Sequence, residues 1–141
     1  MNKDILEFQG PYRFLSNFYP TKGSYSVEHL FQGAKTLDMD ERTIIYHAKT
    51  PGEAKRLGHR CNKRNDWEDV KERIMYELVK AKFTFDTDVK AKLLATGNCY
   101  LQEGNRWGDT FWGVDLRTGK GENKLGHILM RVREELREKD K

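Results

Sequence analysis

The segment SVEHLFQGAKTL, residues 26–37, carries the strongest helical pattern in the chain. Ser26 is a favoured helix N-cap, because its hydroxyl accepts a hydrogen bond from a backbone N–H of the first turn. Apolar residues then recur at spacings of three and four, which is typical of the buried face of a helix. They are Val27, Leu30, Phe31, Ala34 and Leu37. The segment therefore predicts a helix that begins at Val27 and buries this face.

Helical patterns of the same kind occupy much of the chain that follows. Asp38 is placed to cap a short helix reaching about residue 48, and Thr50 with Pro51 opens a third that ends near residue 61. Further helices are predicted over 67–85, from a cap at Thr87 to a stop at Gly97, and from about 123 onward. Residues 5–8 are predicted as a short strand, and residues 98–121 as strand and loop.

Length and composition indicate one globular domain over residues 1–141. The chain holds 7 Phe, 6 Tyr and 3 Trp, which is far too aromatic for a disordered segment. It lacks both a run of about 20 apolar residues and an N-terminal secretory signal, so we expect a cytoplasmic protein without membrane contact. We expect a mainly α (α+β) fold with about six helices and a few short strands. The spacing of the 4 His and 2 Cys predicts no zinc site.

Three polar residues of the first predicted helix form a row beside its apolar face. Glu28, Gln32 and Lys35 are spaced by four and three, so they fall within about 60° of one another around the helix axis. A carboxylate, an amide and an amine at the border of a core suit a reactive site. The plainer interpretation is a solvated edge with a weak contact between neighbours.

A second candidate is the loop GDTFWG, residues 108–113. Glycine allows close approach of a ligand, Asp109 supplies a carboxylate, and Trp112 offers a flat face for a base or sugar. The alternative is a turn whose tryptophan fills the core. Trp67 has the same two interpretations, of which core packing is the more common.

A basic run follows the third predicted helix start, and the net charge of the chain is +4. Such a run is usually a solvated face, but it also suits the phosphates of a nucleotide or of DNA. Its members are Lys55, Arg56, His59, Arg60, Lys63 and Arg64.

Taken together, these segments resemble the motifs of the NADAR (NAD- and ADP-ribose-associated), or YbiA-like, family. The matches occur in family order over nearly the whole chain, and the combination is far more specific than any single motif. They are FLSNF (14–18), VEHLFQGAK (27–35), AKRLG (54–58), DW (66–67), Lys71, Met75, KF (82–83), LATG (94–97), DTFWG (109–113) and NKLGHILM (123–130).

The resemblance implies a single YbiA-like domain that acts as an N-glycosidase, with no metal and no other cofactor. One branch of the family acts on early riboflavin intermediates, and another removes ADP-ribose from guanine in nucleic acid. The positions it implies as functional are Glu28, Trp67, Asp109 and Trp112. Other candidates for contact with the substrate are Asn17, Phe18, Gln32, Gly113 and Asn123.

This chemistry fits the residue types. Cleavage of a C–N bond at an anomeric carbon builds positive charge on the ribose, which the carboxylate of Glu28 or Asp109 stabilises, or exploits by activating water. Lys35 offers a second catalytic route, through a Schiff base with the ring-opened ribose, provided that burial lowers its pKa.

The sequence-based hypothesis is thus a hydrolase of N-glycosyl bonds. The excess of basic over acidic residues favours removal of ADP-ribose from ADP-ribosylated guanine in DNA or RNA. The expected partner is then an ADP-ribosyltransferase. The first alternative is hydrolysis of the ribosylaminopyrimidine phosphates of riboflavin biosynthesis. The second is a non-catalytic ADP-ribose-binding module, although such a module has little use for two acids near a diphosphate.

Overall fold

Helices dominate the fold. The computed structural model describes residues 3–21 and 25–140. Its elements are a 3₁₀ helix (Gly10–Leu15), α1 (Val27–Gly33), α2 (Met39–Tyr46), α3 (Pro51–Arg60), α4 (Trp67–Phe85), α5 (Thr87–Ala95), β1 (Gly104–Asn105), β2 (Val114–Asp115) and α6 (Lys124–Lys139). Over these ranges, the prediction of a mainly helical α+β fold with about six helices is confirmed. None of the described helices combines the length and apolarity that a membrane crossing requires.

The chain forms two compact units. The central unit comprises residues 17–78, and the terminal unit comprises the described chain up to Ser16 and from Val79 onward. In the central unit α1 packs against α2 and α3, around a core of Val27, Phe31, Ile45, Ala54, Trp67 and Met75. In the terminal unit α5 packs against α6 and the 3₁₀ helix, around a core of Phe14, Leu15, Phe83, Leu93, Leu129 and Val132. One domain over 1–141 stays a prediction.

The first helix is shorter than its sequence pattern predicts. Ser26 caps it as expected, since its hydroxyl accepts from the His29 N–H at 3.2 Å. However, α1 ends at Gly33, and Leu37 lies beyond it with 64% of its surface exposed, so its assignment to the buried face is wrong. Arg42 donates to the carbonyls of Gly33 (3.1 Å) and Thr36 (2.7 Å). These bonds satisfy carbonyls that a continuing helix would have used, which stabilises the early end.

The predicted cap of α3 is confirmed, whereas that of α5 is displaced by one residue. Thr50 caps α3 through the Glu53 N–H at 3.1 Å, as predicted. The cap of α5 is Asp86, whose carboxylate accepts from the N–H groups of the next turn, so the prediction of Thr87 is wrong. Because α4 extends to Phe85, Asp86 is the residue with extended backbone between the two helices.

The strands are minimal. Instead of a strand at residues 5–8, the structure has an isolated parallel bridge between Ile5 and Leu101, which corrects that prediction. Within 98–121, β1 and β2 pair in parallel, with Gly104 opposite Val114. Parallel strands usually need a crossover of about a dozen residues or more. The connection here is the shorter loop 106–113, which contains GDTFWG.

Candidate active site

Glu28 and Gln32 form a buried polar pair on α1. They are only 7% and 4% exposed, and the Gln32 Nε2 donates to the Glu28 Oε2 at 2.7 Å. The interpretation of these two residues as a solvated edge is therefore wrong. A carboxylate removed from water is costly unless it is hydrogen-bonded or paired, so the amide N–H is a strong contributor to its stability in this position.

The first turn of α1 is held in place from both sides. The Glu28 N–H donates to the carbonyl of Asn17 at 3.1 Å, while the Asn17 side chain contacts the sulfur of Met75 at 3.4 Å. The His29 ring is engaged at both nitrogens, by the Ser26 hydroxyl at 2.8 Å and the Ala48 carbonyl at 2.9 Å. His29 thus supports the helix. Phe18, next to Asn17, is 41% exposed, and contact of these two residues with substrate stays a prediction.

Lys35 joins this pair although it lies beyond the end of α1. Burial lowers the pKa of its amine, and the nearby Glu28 carboxylate opposes that shift. Its backbone carbonyl accepts from the Arg64 N–H at 2.7 Å, and Thr36 forms an antiparallel bridge with Lys63. The predicted row of carboxylate, amide and amine is thus brought together, with part of it outside the helix.

Members of the basic run lie close enough to the Lys35 amine to influence it electrostatically. The positive charges of Lys63 and Lys55 further lower the pKa of Lys35. Burial, followed by the charges of Lys35 and Lys55, lowers the pKa of His59. We call these four residues the Lys35 cluster. The charges of Lys55 and Lys63 beside the Glu28 carboxylate and the Lys35 amine suit an anionic substrate.

The rest of the basic run lies in different surroundings. Arg56 and Arg60 are exposed on α3. Arg64 is paired with Asp66, at 2.5 Å between its Nε and the carboxylate. The run is therefore a mixture of site-facing and solvated side chains.

Trp67 is a core residue of the central unit. It is 4% exposed, and its ring lies 5.0 Å from that of Phe31 at an angle of 54°. Core packing is the more common of the two interpretations that the sequence allowed for Trp67. A substrate contact for Trp67 stays a prediction of the resemblance.

In the terminal unit, Asp109 organises the loop between β1 and β2. Its Oδ1 accepts from the N–H groups of Phe111 (3.0 Å) and Trp112 (2.9 Å). Asn105, which the sequence analysis missed, is 2% exposed and bonds to both the N–H and the carbonyl of Asp109. Asp109 thus has a clear positioning function, and a chemical function for it stays a prediction.

The loop ends at two closely packed residues. Trp112 is half-buried, with its ring edge-on to Phe111 at 4.8 Å, and its carbonyl accepts from the Leu125 N–H at 2.9 Å. Gly113 lies so close to Glu103 that any Cβ at residue 113 would overlap it. Glycine is required there for the backbone to pass, whether or not it also contacts a ligand.

Asn123 precedes α6 in the left-handed conformation, with φ of 52°. Its Oδ1 accepts from the Glu103 N–H at 2.9 Å, and its Nδ2 donates to the Leu101 carbonyl at 3.0 Å. The side chain thus stabilises the backbone that leads into β1. Binding of substrate by Asn123 stays a prediction.

Lys82 is a second residue that the analysis of individual side chains missed. It is 6% exposed and donates to the carbonyls of Phe14 (2.7 Å) and Ser16 (2.9 Å). Burial lowers the pKa of its amine to about 7, against the opposing charge of Asp86. The sequence signal that could have revealed Lys82 is its helical spacing, because it shares the buried face of α4 with Val79 and Phe83.

Across residues 3–21 and 25–140, no group of three or more His, Cys, Asp or Glu is placed to hold a metal ion. The arrangement supports chemistry by carboxylate, amide and amine groups. The polar side chains singled out by the sequence therefore form two sets, one around Glu28 in the central unit and one around Asp109 in the terminal unit.

Comparisons with known proteins show which protein family the chain belongs to. The model of the NADAR domain family matches residues 7–137. The chain belongs to this family, and its fold is YbiA-like.

An N-glycosidase YbiA of Shigella flexneri is 38% identical over 128 residues, covering 89% of this chain and 76% of the relative. A riboflavin biosynthesis protein of Vibrio vulnificus is 38% identical over 133 residues, with 89% of this chain but only 36% of the relative covered. Among solved structures, the NMR structure of the Escherichia coli protein YbiA has a TM-score of 0.86 and 36% identity, over 99% of this chain and 89% of that one.

Proposed function

We propose that this protein is an N-glycosidase that hydrolyses the bond between the ribose and the nitrogen of a phosphate-bearing ribosylated base. The observation that carries the proposal is the buried Glu28 carboxylate, hydrogen-bonded by Gln32 and within electrostatic reach of the Lys35 amine. The name N-glycosidase on the Shigella relative supports the same activity.

Glu28 is suited to stabilise the transition state. As the C–N bond breaks, positive charge develops on the ribose ring. A buried carboxylate stabilises that charge more strongly than one in water, because fewer water dipoles screen it. The same carboxylate can accept a proton from the attacking water, while an acid protonates the departing base. The products are the free ribose derivative and the base.

Lys35 provides a second route. Its lowered pKa increases the fraction of neutral amine, whose lone pair attacks C1′ of the ring-opened ribose. Once the ring has opened, C1′ is joined to the base nitrogen as an imine, so addition of the amine gives a carbon bonded to both nitrogens. Transfer of a proton from the Lys35 nitrogen to the base nitrogen then releases the base and leaves an imine between C1′ and Lys35. Water then hydrolyses the imine, which releases the sugar aldehyde and restores the amine.

Our first candidate substrate is ADP-ribosylated guanine in DNA or RNA. Lys55 and Lys63 of the Lys35 cluster supply cations for a diphosphate, and the exposed Arg56 and Arg60 supply cations for a nucleic-acid backbone. The candidate partners are therefore a modified nucleic acid and the ADP-ribosyltransferase that modifies it.

The second candidate is a ribosylaminopyrimidine phosphate of riboflavin biosynthesis. It is favoured by the name of the Vibrio relative, a riboflavin biosynthesis protein. A single phosphate requires fewer cations, which the Lys35 cluster can also supply.

A substrate panel tests the proposal. Purified protein is incubated with guanine-ADP-ribosylated DNA and with the ribosylaminopyrimidine phosphate, and chromatography with mass spectrometry measures released ADP-ribose or ribose phosphate. We expect turnover of one substrate and a loss of about 10²–10⁴-fold in Glu28→Gln. Glu138→Gln, an exposed residue of α6, is the matched control and should retain full rate.

Four results of this panel have distinct meanings. Release of ADP-ribose from DNA supports the first candidate, and release of ribose phosphate supports the second. Tight binding of ADP-ribose without turnover of either substrate would support a binding module and contradict the proposed activity. A folded Glu28→Gln variant with wild-type rate would contradict the assignment of Glu28.

A further inference from the structure

Gln32 holds a polar atom that protein side chains and backbone do not satisfy. Within the described residues, its Oε1 is the buried side-chain oxygen or nitrogen that lacks a hydrogen-bond partner. Leaving a buried carbonyl unpaired is unfavourable, and an apolar side chain of similar size would avoid the cost. A function for the Nε2 group of the same amide would explain why glutamine is present at this position.

That reason is the Glu28 carboxylate. The Nε2 of Gln32 donates to the Glu28 Oε2 at 2.7 Å. Rotating the amide by half a turn would place Oε1 against the carboxylate, and the two acceptors would repel each other. The orientation that serves Glu28 is thus the one that leaves Oε1 unpaired.

Gly58 makes this orientation sterically possible. It is a buried residue within α3, which packs against α1. A Cβ built at residue 58 would overlap the Oε1 of Gln32. Glycine inside a helix is otherwise unfavourable relative to alanine, so its position against the Gln32 amide explains its presence.

We propose that Gln32, seated against Gly58, is a positioning residue that holds the Glu28 carboxylate ionised and in one orientation. Gln32 acts through Glu28, and its consequence for turnover rests on the proposed function. Gln32 does not itself react. Gly58 contributes because the absence of a side chain at this position leaves room for the Gln32 amide.

Removing the N–H donor favours the protonated form of Glu28, since a hydrogen bond to the charged form is removed with it. The substitution of Gln32 changes none of the other charged and titratable groups that are electrostatically linked in this region. They are Lys35, Lys55, His59, Cys61 and Lys63, with Glu41 on α2 and Glu68 on α4.

The test measures Glu28 directly. Protein labelled with ¹³C at the glutamate side-chain carboxyl is titrated by NMR, and the resonance that disappears in Glu28→Gln is assigned to Glu28. We expect the titration midpoint to rise by about one pH unit in Gln32→Met and in Gly58→Ala, equivalent to one charge-assisted hydrogen bond. Gly52→Ala in the same helix is the matched control, because a Cβ there meets only the Thr50 hydroxyl, at 3.9 Å.

Turnover provides the second measurement. We expect kcat to fall about tenfold in Gln32→Met and Gly58→Ala, with KM within about twofold of wild type and the acid limb of the pH–rate profile shifted upward. Gln32→Leu replaces Gln32→Met if the latter fails to fold.

The outcomes separate the inference from the proposed function. An unchanged Glu28 midpoint in the folded Gln32 and Gly58 variants would overturn the inference, even if their unfolding free energies fall. A raised midpoint with an unshifted pH–rate profile would support the positioning of Glu28 and overturn its proposed catalytic function.

Discussion

The backbone N–H of Arg64 donates to the carbonyl of Lys35 at 2.7 Å. This bond joins the segment after α1 to the segment after α3, and Glu41 strengthens the junction by accepting from the Thr36 hydroxyl at 2.7 Å and from the Asn62 N–H at 3.1 Å. Lys35 is therefore held near Glu28 by tertiary contacts, although it no longer belongs to the helix that carries Glu28.

This placement leads to a prediction for the Schiff-base route. Reduction with cyanoborohydride during turnover should attach the ribose derivative to Lys35, detectable as a mass increase on its peptide. Lys35→Arg keeps the charge but cannot form the imine, so the adduct should disappear and the rate should fall. Because burial lowers the pKa of Lys35, the active neutral amine should accumulate at lower pH than for an exposed lysine. A fully active Lys35→Arg enzyme would exclude the route.

Two variants of Asp109 distinguish support of the loop from chemistry. Asparagine keeps the Oδ1 acceptor for the N–H groups of Phe111 and Trp112, whereas alanine removes it. If Asp109 only positions the loop, Asp109→Asn should retain most of the rate and Asp109→Ala should lose it. Steady-state kinetics with circular dichroism as the folding check decides this. Equal loss of rate in both folded variants would instead show that the charge is needed.

The two tryptophans should respond differently to replacement by phenylalanine. Trp67 packs in the core against Phe31, so we expect Trp67→Phe to lower the unfolding free energy by about 1–2 kcal/mol with little change in affinity. Trp112 is half-buried in the candidate loop, so Trp112→Phe should weaken ADP-ribose binding, by less than the loss of about 1–3 kcal/mol expected for alanine because phenylalanine keeps a smaller aromatic face. Calorimetric titration and chemical denaturation measure these effects. The reverse pattern would assign ligand contact to Trp67.

Exposed arginines of α3 test the class of substrate. Reversing Arg56 and Arg60 to Glu should weaken activity on modified DNA far more than on a modified mononucleotide. For a DNA substrate, the slope of log affinity against log salt should fall by about 0.7–0.9 for each phosphate that the variant no longer neutralises. Arg131→Glu, an exposed residue of α6, is the matched charge reversal. Unchanged activity on both substrates would assign Arg56 and Arg60 to a merely solvated face.

Lys82 makes stability depend on pH in a defined direction. Its pKa of about 7 in the folded protein lies below the 10.5 of an exposed lysine, so unfolding takes up a proton between these values. The contribution of Lys82 to the unfolding free energy should therefore rise with pH from about 7 to 10.5. In Lys82→Met this part of the rise should vanish, whereas in Lys139→Met, at an exposed site, it should remain. Urea denaturation at about pH 6.5, 8.0 and 9.5, one value just below the lower pKa and two between the limits, tests the sign. Parallel curves for wild type and Lys82→Met would contradict it.

Much of the helical architecture is determined by sequence alone. The caps at Ser26 and Thr50, the start of α4 at Trp67 and the stop at Gly97 follow from interactions within a few residues of each element. Such local preferences act in the same way whatever surrounds them. The family motifs also place Glu28 and Asp109 among the functional candidates, and the spacing of the polar row adds Lys35, because residue types and their order remain readable without a fold.

Tertiary structure decided the surroundings of these residues. The sequence pattern placed Leu37 inside and allowed Glu28 and Gln32 to be a solvated edge, yet Leu37 is exposed and the polar pair is buried. Burial depends on which helix packs alongside, and here Gly58 of α3 lies against Gln32. Likewise, Asn105 supports Asp109, and Lys82 binds carbonyls more than sixty residues away in the chain. No local periodicity encodes such contacts, because the energy of a buried polar group is set by the partners that folding brings to it.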